Sequence, residues 1–309
     1  MHESATSMPG PETDGPGGGA LVHDHGGVVR VRLDLEYDGR AFSGWAVQPG
    51  LRTVAGVLAD AVSTVTRTPA ERLGLVVAGR TDAGVHATGQ VCHLDLGGSV
   101  WAAVPGRADR PPEEALGRRL RGVLPADVRV RRVSVAPPGF DARFSALRRR
   151  YAYRVCDDQA GVPPLRRHDV VAHPRRLDLD AMDAASSALV GLRDFAAFCK
   201  RREGATTVRT LLEYRWARDD AGFAVARVVA DAFCHSMVRA LVGAALAVGD
   251  GRRPVGWPFA VQSRGVRDPG VAVAPAHGLV LEEVVYPDAA GLAARAAQAR
   301  AVRTLLKPS

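Results

Sequence analysis

Lysine is nearly missing from this sequence. Lys200 and Lys307 are the only lysines among 41 basic residues, so arginine supplies the rest. Against 33 acidic residues this leaves a formal charge of +8. Two readings compete: an Arg- and Ala-rich composition with solvated guanidiniums, or a polyanionic partner, because a guanidinium fork meets phosphate oxygens in pairs and stacks on bases. Clustering favours the partner. Arg118, Arg119 and Arg121 form one group, Arg129, Arg131 and Arg132 a second, Arg148, Arg149 and Arg150 a third, and Lys200-Arg201-Arg202 a fourth. Long apolar runs are also lacking, and none approaches the roughly 20 residues that span a bilayer. No basic segment leads into an apolar stretch at the N-terminus. The expected setting is cytoplasmic, without a membrane partner. Cysteine is sparse. Cys92, Cys156, Cys199 and Cys234 form no Cys-x-x-Cys pair and no zinc-finger set with histidine. Each is expected to be a small buried hydrophobe in a reducing compartment, and no metal is expected.

What is present is a chain of 309 residues, 47% hydrophobic, enough for a large core or two packed lobes. Residues 1–27 are rich in Gly, Pro and polar side chains and read as a disordered tail. Period-two alternation or short β-rich runs predict strands at 28–37, 73–78, 90–96, 128–135, 150–155, 210–216, 223–229 and 279–285. Helical spacing predicts helices at 54–65, with Thr53 as its cap, and at 113–120, 180–190 and 236–248. An Ala- and Arg-rich stretch at 288–306 also reads as helical. Pro137-Pro138-Gly139 marks a boundary between halves at 28–138 and 139–287, with 288–309 as a C-terminal extension. Strands and helices mix without strict alternation, which predicts an α+β fold with a mainly antiparallel sheet backed by helices.

One segment stands out: Gly79-Arg80-Thr81-Asp82-Ala83-Gly84-Val85-His86-Ala87-Thr88-Gly89-Gln90-Val91. A guanidinium and a carboxylate share a strand-to-loop edge, where Arg80 favours the ionised form of Asp82. The small residues allow a flat ligand to approach the backbone. A bare Asp-x-Gly would more often be a turn whose carboxylate caps local amides. A second segment, Phe140-Asp141-Ala142-Arg143-Phe144-Ser145-Ala146, runs into Arg148-Arg149-Arg150-Tyr151-Ala152-Tyr153-Arg154. Aromatics interleaved with arginines suit RNA, although Tyr151 and Tyr153 on one strand face also suit a core. A third, Phe233-Cys234-His235-Ser236-Met237-Val238-Arg239, opens an apolar helix in which Arg239 needs an anionic partner or a path to the surface.

Over its full length the first segment resembles the signature of the tRNA pseudouridine synthase A family. The second and third resemble the family's Phe-x-Ala-Arg-Phe-Ser-Ala, Arg-x-Tyr-x-Tyr and Met-Val-Arg segments. Tyr37-Asp38-Gly39 with Phe42-Ser43-Gly44-Trp45 is similar to the family's opening, and Gly278-Leu279-Val280-Leu281 to its C-terminal element. The likeness runs from Val28 to Tyr286. It implies the pseudouridine synthase fold, with two similar lobes around a mixed, mainly antiparallel central sheet flanked by helices. It implies an isomerase that converts uridine to pseudouridine at tRNA positions 38 to 40, as a homodimer and without a cofactor. Asp82 is then the nucleophile, Arg80 lies beside it, Tyr151 is the active-site tyrosine and Arg239 pairs with Asp82. Tyr151, Arg80, Arg143, Arg148, Arg150 and His86 are the expected substrate-binding residues. The chain departs from the family at Ala46, where the family has Gln, at Asp141, where it has His, and at Ser236, where a second His often stands. A non-catalytic RNA-binding protein of the same fold would keep the arginine clusters without needing Asp82, Tyr151 and Arg239 together. An Asp-nucleophile phosphatase would need a second Asp where Gly84 stands.

Overall fold

A computed structural model describes residues 27–200 and 206–300. Residues 1–26 of the expected N-terminal tail, residues 201–205 with Arg201 and Arg202 of the fourth basic cluster, and residues 301–309 lie outside the described residues. The strands are β1 (Val28–Tyr37), β2 (Val76–Val77), β3 (His86–Gly97), β4 (Val128–Val135), β5 (Arg148–Cys156), β6 (Val171–Ala172), β7 (Gly191–Asp194), β8 (Val208–Arg218), β9 (Ala224–Ala230) and β10 (Leu279–Val285). The helices are α1 (Val54–Thr66), α2 (Gly98–Ala103), α3 (Pro112–Val123), α4 (Leu179–Ser187), α5 (Met237–Gly249), α6 (Trp257–Ser263) and α7 (Leu292–Arg300).

All ten strands form one sheet in the order β4-β1-β3-β10-β5-β9-β8-β7, with β2 on β3 and β6 on β5. The long pairings are antiparallel. The exception at the centre is the short parallel contact of β10 with β3, Val280 opposite His86 and Leu281 opposite Ala87. That contact joins the strands from the first half of the chain to those from the second. The fold is thus α+β and mainly antiparallel, as the sequence pattern predicts.

Alternation gives the sheet two unlike faces. On β1, Val31, Leu33, Leu35 and Tyr37 are buried, while Arg32, Asp34 and Glu36 point the other way. The apolar face packs against the helices, including α3 on β4 and α4 on β8. We call it the helix face and its reverse the far face. The helix α5 is buried at almost every position, so its apolar run serves as core. Thr53 caps α1 as expected, its hydroxyl accepting from the Gly56 amide.

Several boundaries differ from the sequence expectations, among them the end of α4, which stops at Ser187 and not at residue 190, and three larger shifts. The strand expected at 73–78 shrinks to Val76–Val77, because a short 3-10 turn (Ala70–Arg72) runs into Leu73 and Gly74 takes a positive φ of 57°. β3 starts four residues early, at His86, because its first residues pair with β1 and β10. α7 begins only at Leu292, after a 3-10 turn that Asp288 caps.

The cysteine expectation is half right. Cys92 and Cys156 are free and buried. Cys199 and Cys234 instead form a disulfide, with Cα atoms 5.8 Å apart. The Lys200 amide donates to the His235 carbonyl (3.0 Å), so the two segments run side by side at that point. A separation of 35 residues leaves no spacing signal for such a pair.

Candidate active site

The loop between β2 and β3 carries Asp82, and several anchors fix it. The Tyr37 and Thr81 hydroxyls are 2.7 Å apart. Gln90 donates to the Tyr37 oxygen (3.1 Å) and to the Gly79 carbonyl (2.9 Å). Burial pushes the Tyr37 phenol up to about 12, so it stays neutral and holds this network. The Trp45 amide donates to the Thr81 carbonyl (3.1 Å), and the Gly84 amide to the Phe42 carbonyl (3.3 Å). The opening segment therefore serves as the platform of the Asp82 loop. Two glycines in it are required. A Cβ on Gly39 would overlap the Val85 carbonyl, and one on Gly44, at φ 92°, would reach 3.0 Å from the Thr81 carbonyl.

Asp82 faces the start of α5 with its side chain 23% exposed. Ser236 Oγ donates to Asp82 Oδ2 at 3.1 Å. Arg239 Nη1 lies 3.6 Å from the same oxygen, and His235 Nε2 lies 3.4 Å from Oδ1. Arg239 is steadied by a bond from its Nε to the Ala274 carbonyl (2.7 Å). The pairing expected between Arg239 and Asp82 is therefore present as a close ion pair. Tyr151 is buried in β5 on the helix face, and Phe233 meets its ring edge-on at 5.1 Å. Its hydroxyl makes no hydrogen bond among the described residues. Burial first, then Tyr37 and the Asp82 charge, push its pKa up, so the phenol stays protonated at neutral pH. Tyr153 donates to the Pro275 carbonyl (2.9 Å) and is fully buried, a structural role.

The other expected site residues are placed differently. Arg80 is exposed and makes no ion pair with Asp82 among the described residues; the cation beside Asp82 is Arg239. Arg143 and Arg148 are exposed, and Arg143 lies over the Phe144 ring at 5.0 Å. Arg150 points to the far face, because it alternates with Tyr151, and it pairs there with Glu282 and with Glu283 (3.2 Å). His86 is on the far face as well, since it sits opposite Val280, which in turn sits opposite Ala152. It is 8% exposed, its Nδ1 accepts from the Gly39 amide (3.2 Å), and it lines a cavity of about 790 Å³ with Asp38, Arg154, His168 and Glu282. Neither Arg150 nor His86 joins Asp82. Asp141 shapes its own loop by accepting from the Arg143 and Phe144 amides (2.8 and 2.9 Å).

Sequence reasoning missed Arg149. It is 7% exposed on the helix face, and its guanidinium donates to the carbonyls of Asp231 (2.5 Å), Ala78 (2.8 Å) and Arg143 (2.7 Å). It thereby ties the root of the Asp82 loop to the segment that leads into α5. The signal was its position, two residues before Tyr151 on the same strand face. Ser236 was noted only as a departure from the family pattern.

The mainly antiparallel sheet thus brings a loop aspartate, a helix-borne arginine and a buried tyrosine to one place beside the start of α5. A family model described as tRNA pseudouridine synthase matches residues 185–287. The tRNA pseudouridine synthase A of Streptomyces griseus is 62% identical over 280 residues, covering 90% of this chain and 95% of that protein. Those of Frankia casuarinae and Mycobacterium leprae are 60% and 51% identical, over 92% and 89% of this chain and 98% and 96% of theirs. The chain belongs to the tRNA pseudouridine synthase A family, a family of isomerases.

Proposed function

We propose that this enzyme converts uridine to pseudouridine in the anticodon stem-loop of tRNA, at positions 38 to 40, with Asp82 as the nucleophile. The N1–C1′ bond breaks, the uracil turns, C5 bonds to C1′, the C5 proton leaves to solvent, and N1 takes up a proton in its place. Atoms and oxidation state are conserved overall. The carboxylate attacks C1′ or C6, or sets off elimination to a glycal; each route needs an ionised Asp82, and Arg239 supplies the facing charge. Extruding the target base costs a few kcal/mol, which stacking and phosphate contacts would offset. Tyr151 lies against the target ring. Exposed Arg80, Arg143 and Arg148 are the proposed RNA contacts. By likeness to the family, the working unit is a homodimer acting in the cytoplasm.

The convergence of Asp82, Arg239 and Tyr151 from three distant segments carries this reading. The test uses tRNA tritiated at uridine C5. Release of tritium by the wild type, and none by Asp82→Asn that still binds tRNA, is the expected result. Wild-type rates from Asp82→Asn would remove Asp82 from its role. Sequencing of the modified sites then reports whether positions 38 to 40 are the targets.

A further inference from the structure

The first residue before α5 breaks two local rules at once. Ser236 adopts φ 62° and ψ 8°, the left-handed region, where glycine or asparagine is the ordinary occupant. Apart from Arg67 it is the only non-glycine residue with positive φ among the described residues. It also stands at the N-cap of α5, where a serine hydroxyl normally accepts from a backbone amide of the first turn, yet it makes no such bond. The hydroxyl points instead to Asp82 Oδ2, 3.1 Å away. A strained backbone and a forgone cap, both serving one side-chain contact, mark a position held for function.

The geometry around Asp82 shows what that contact does. It is the one hydrogen bond to the carboxylate among the described residues. Arg239 at 3.6 Å is beyond good hydrogen-bond length and acts through charge, and His235 Nε2 stands at 3.4 Å from the other oxygen. Charge draws the carboxylate toward α5 but fixes its rotation weakly; a directional O–H donor fixes it strongly. The loop bearing Ser236 is itself held. Cys234 is linked to Cys199, the Lys200 amide bonds the His235 carbonyl, and the Met237 amide donates to the Cys234 carbonyl (3.1 Å).

We infer that Ser236 is a positioning residue for pseudouridine formation, its hydroxyl setting the orientation of the Asp82 carboxylate. The inference rests on the reading of Asp82 as the nucleophile. Its test compares Ser236→Gly and Ser236→Ala. Glycine removes the hydroxyl while relieving the left-handed backbone; alanine removes the hydroxyl and keeps that strain. A hydrogen bond to a charged group is worth about a tenfold to hundredfold factor in rate when it acts only on the reacting geometry. Both variants should therefore lose about tenfold or more in single-turnover rate, with tRNA affinity within about twofold of wild type. The Ser236→Gly protein should melt no lower than wild type. If Ser236→Gly turns over as fast as wild type, the hydroxyl has no positioning role and the inference falls, whether or not Ser236→Ala is slow. A rise in tRNA Kd that accounts for the whole loss would also overturn it. Asp82→Asn is run alongside. If it stays active, the nucleophile reading fails and takes the Ser236 role with it. If it is inactive while both Ser236 variants match wild type, only the Ser236 inference fails.

Discussion

Arg149 and Arg150 are neighbours on β5, and they live in opposite worlds. Arg149 points to the helix face, is almost fully enclosed, and has three backbone carbonyls as partners. Burial pushes its pKa below the usual arginine range, with no carboxylate bonded to it to compensate. Arg150 points to the far face and meets the carboxylates of Glu282 and Glu283. The same division holds for acids. Asp82 faces Ser236 and Arg239 on the helix side, whereas Glu282 bridges Arg150 and Arg154 on the other. A run of three arginines that reads as one basic patch is thus split by strand alternation into a core tether and surface charges.

Catalysis should break along that line most sharply. Asp82→Asn is expected to lower turnover by about a thousandfold or more, as losing a nucleophile does. Glu282→Gln, an equal change of charge across the sheet, should leave turnover within about twofold, since Glu282 pairs with Arg150 and Arg154 on the far face and not with the Asp82 site. Tritium release from C5-labelled tRNA measures both. Comparable losses in the two variants would mean that the faces do not differ in function as proposed.

Stability should separate the two arginines next. Arg149→Met leaves the carbonyls of Ala78, Arg143 and Asp231 unpaired in the interior, and should cost about 3 kcal/mol or more. Arg150→Met leaves Glu282 with Arg154 at 2.8 Å, and should cost about 1 kcal/mol or less. Urea titrations of the two variants give the difference. Equal midpoints would show that the Arg149 tether adds nothing.

Most of this fold could be read from pattern. β1, β4, β10 and α1 lie within a residue of their predicted spans because their alternation or helical spacing is unbroken. The Asp82 loop and Arg239 were legible through long, particular motifs. What stayed hidden depended on three-dimensional neighbours. His86 stands in the most distinctive motif of the chain, yet it lies on the far face, because a parallel pairing with β10 sets its side. Arg80 is two residues from Asp82 and does not pair with it, while Arg239, far along the chain, does. The Cys199–Cys234 bond joins two segments far apart in the chain, and the left-handed turn falls on a serine, so no local spacing records either.

RNA binding sharpens the comparison at a lower level. Affinity for tRNA should fall steeply with salt, as contacts to phosphate release counterions. Neutralising exposed Arg143 or Arg148 to Gln should each reduce the slope of log K against log salt by about 1. Arg150→Gln should leave the slope unchanged, because its charge is already matched by Glu282 and Glu283. Filter binding across a salt series distinguishes them. A slope that drops for Arg150→Gln as well would place the far face on the RNA.

The smallest expected effect belongs to the far face alone. His93 sits opposite Arg32, 2% exposed, and its Nδ1 accepts from the Ala142 amide at 3.0 Å. Burial, reinforced by the Arg30 charge, lowers its pKa; burial lowers that of His86 too, against the pull of Asp38. In the unfolded chain both would titrate near about pH 6.5. Above that pH both states carry neutral rings and the stability is fully present. As pH falls below it the unfolded chain takes up protons that the folded protein refuses, so stability is lost until the folded pKa values are passed. Protonating His93 would also turn its acceptor nitrogen into a donor facing an amide. His93→Asn can still accept from Ala142 but does not titrate there, so its melting temperature should fall less steeply than that of wild type as pH drops below about 6.5. A wild-type slope in that variant would move the acid sensitivity elsewhere.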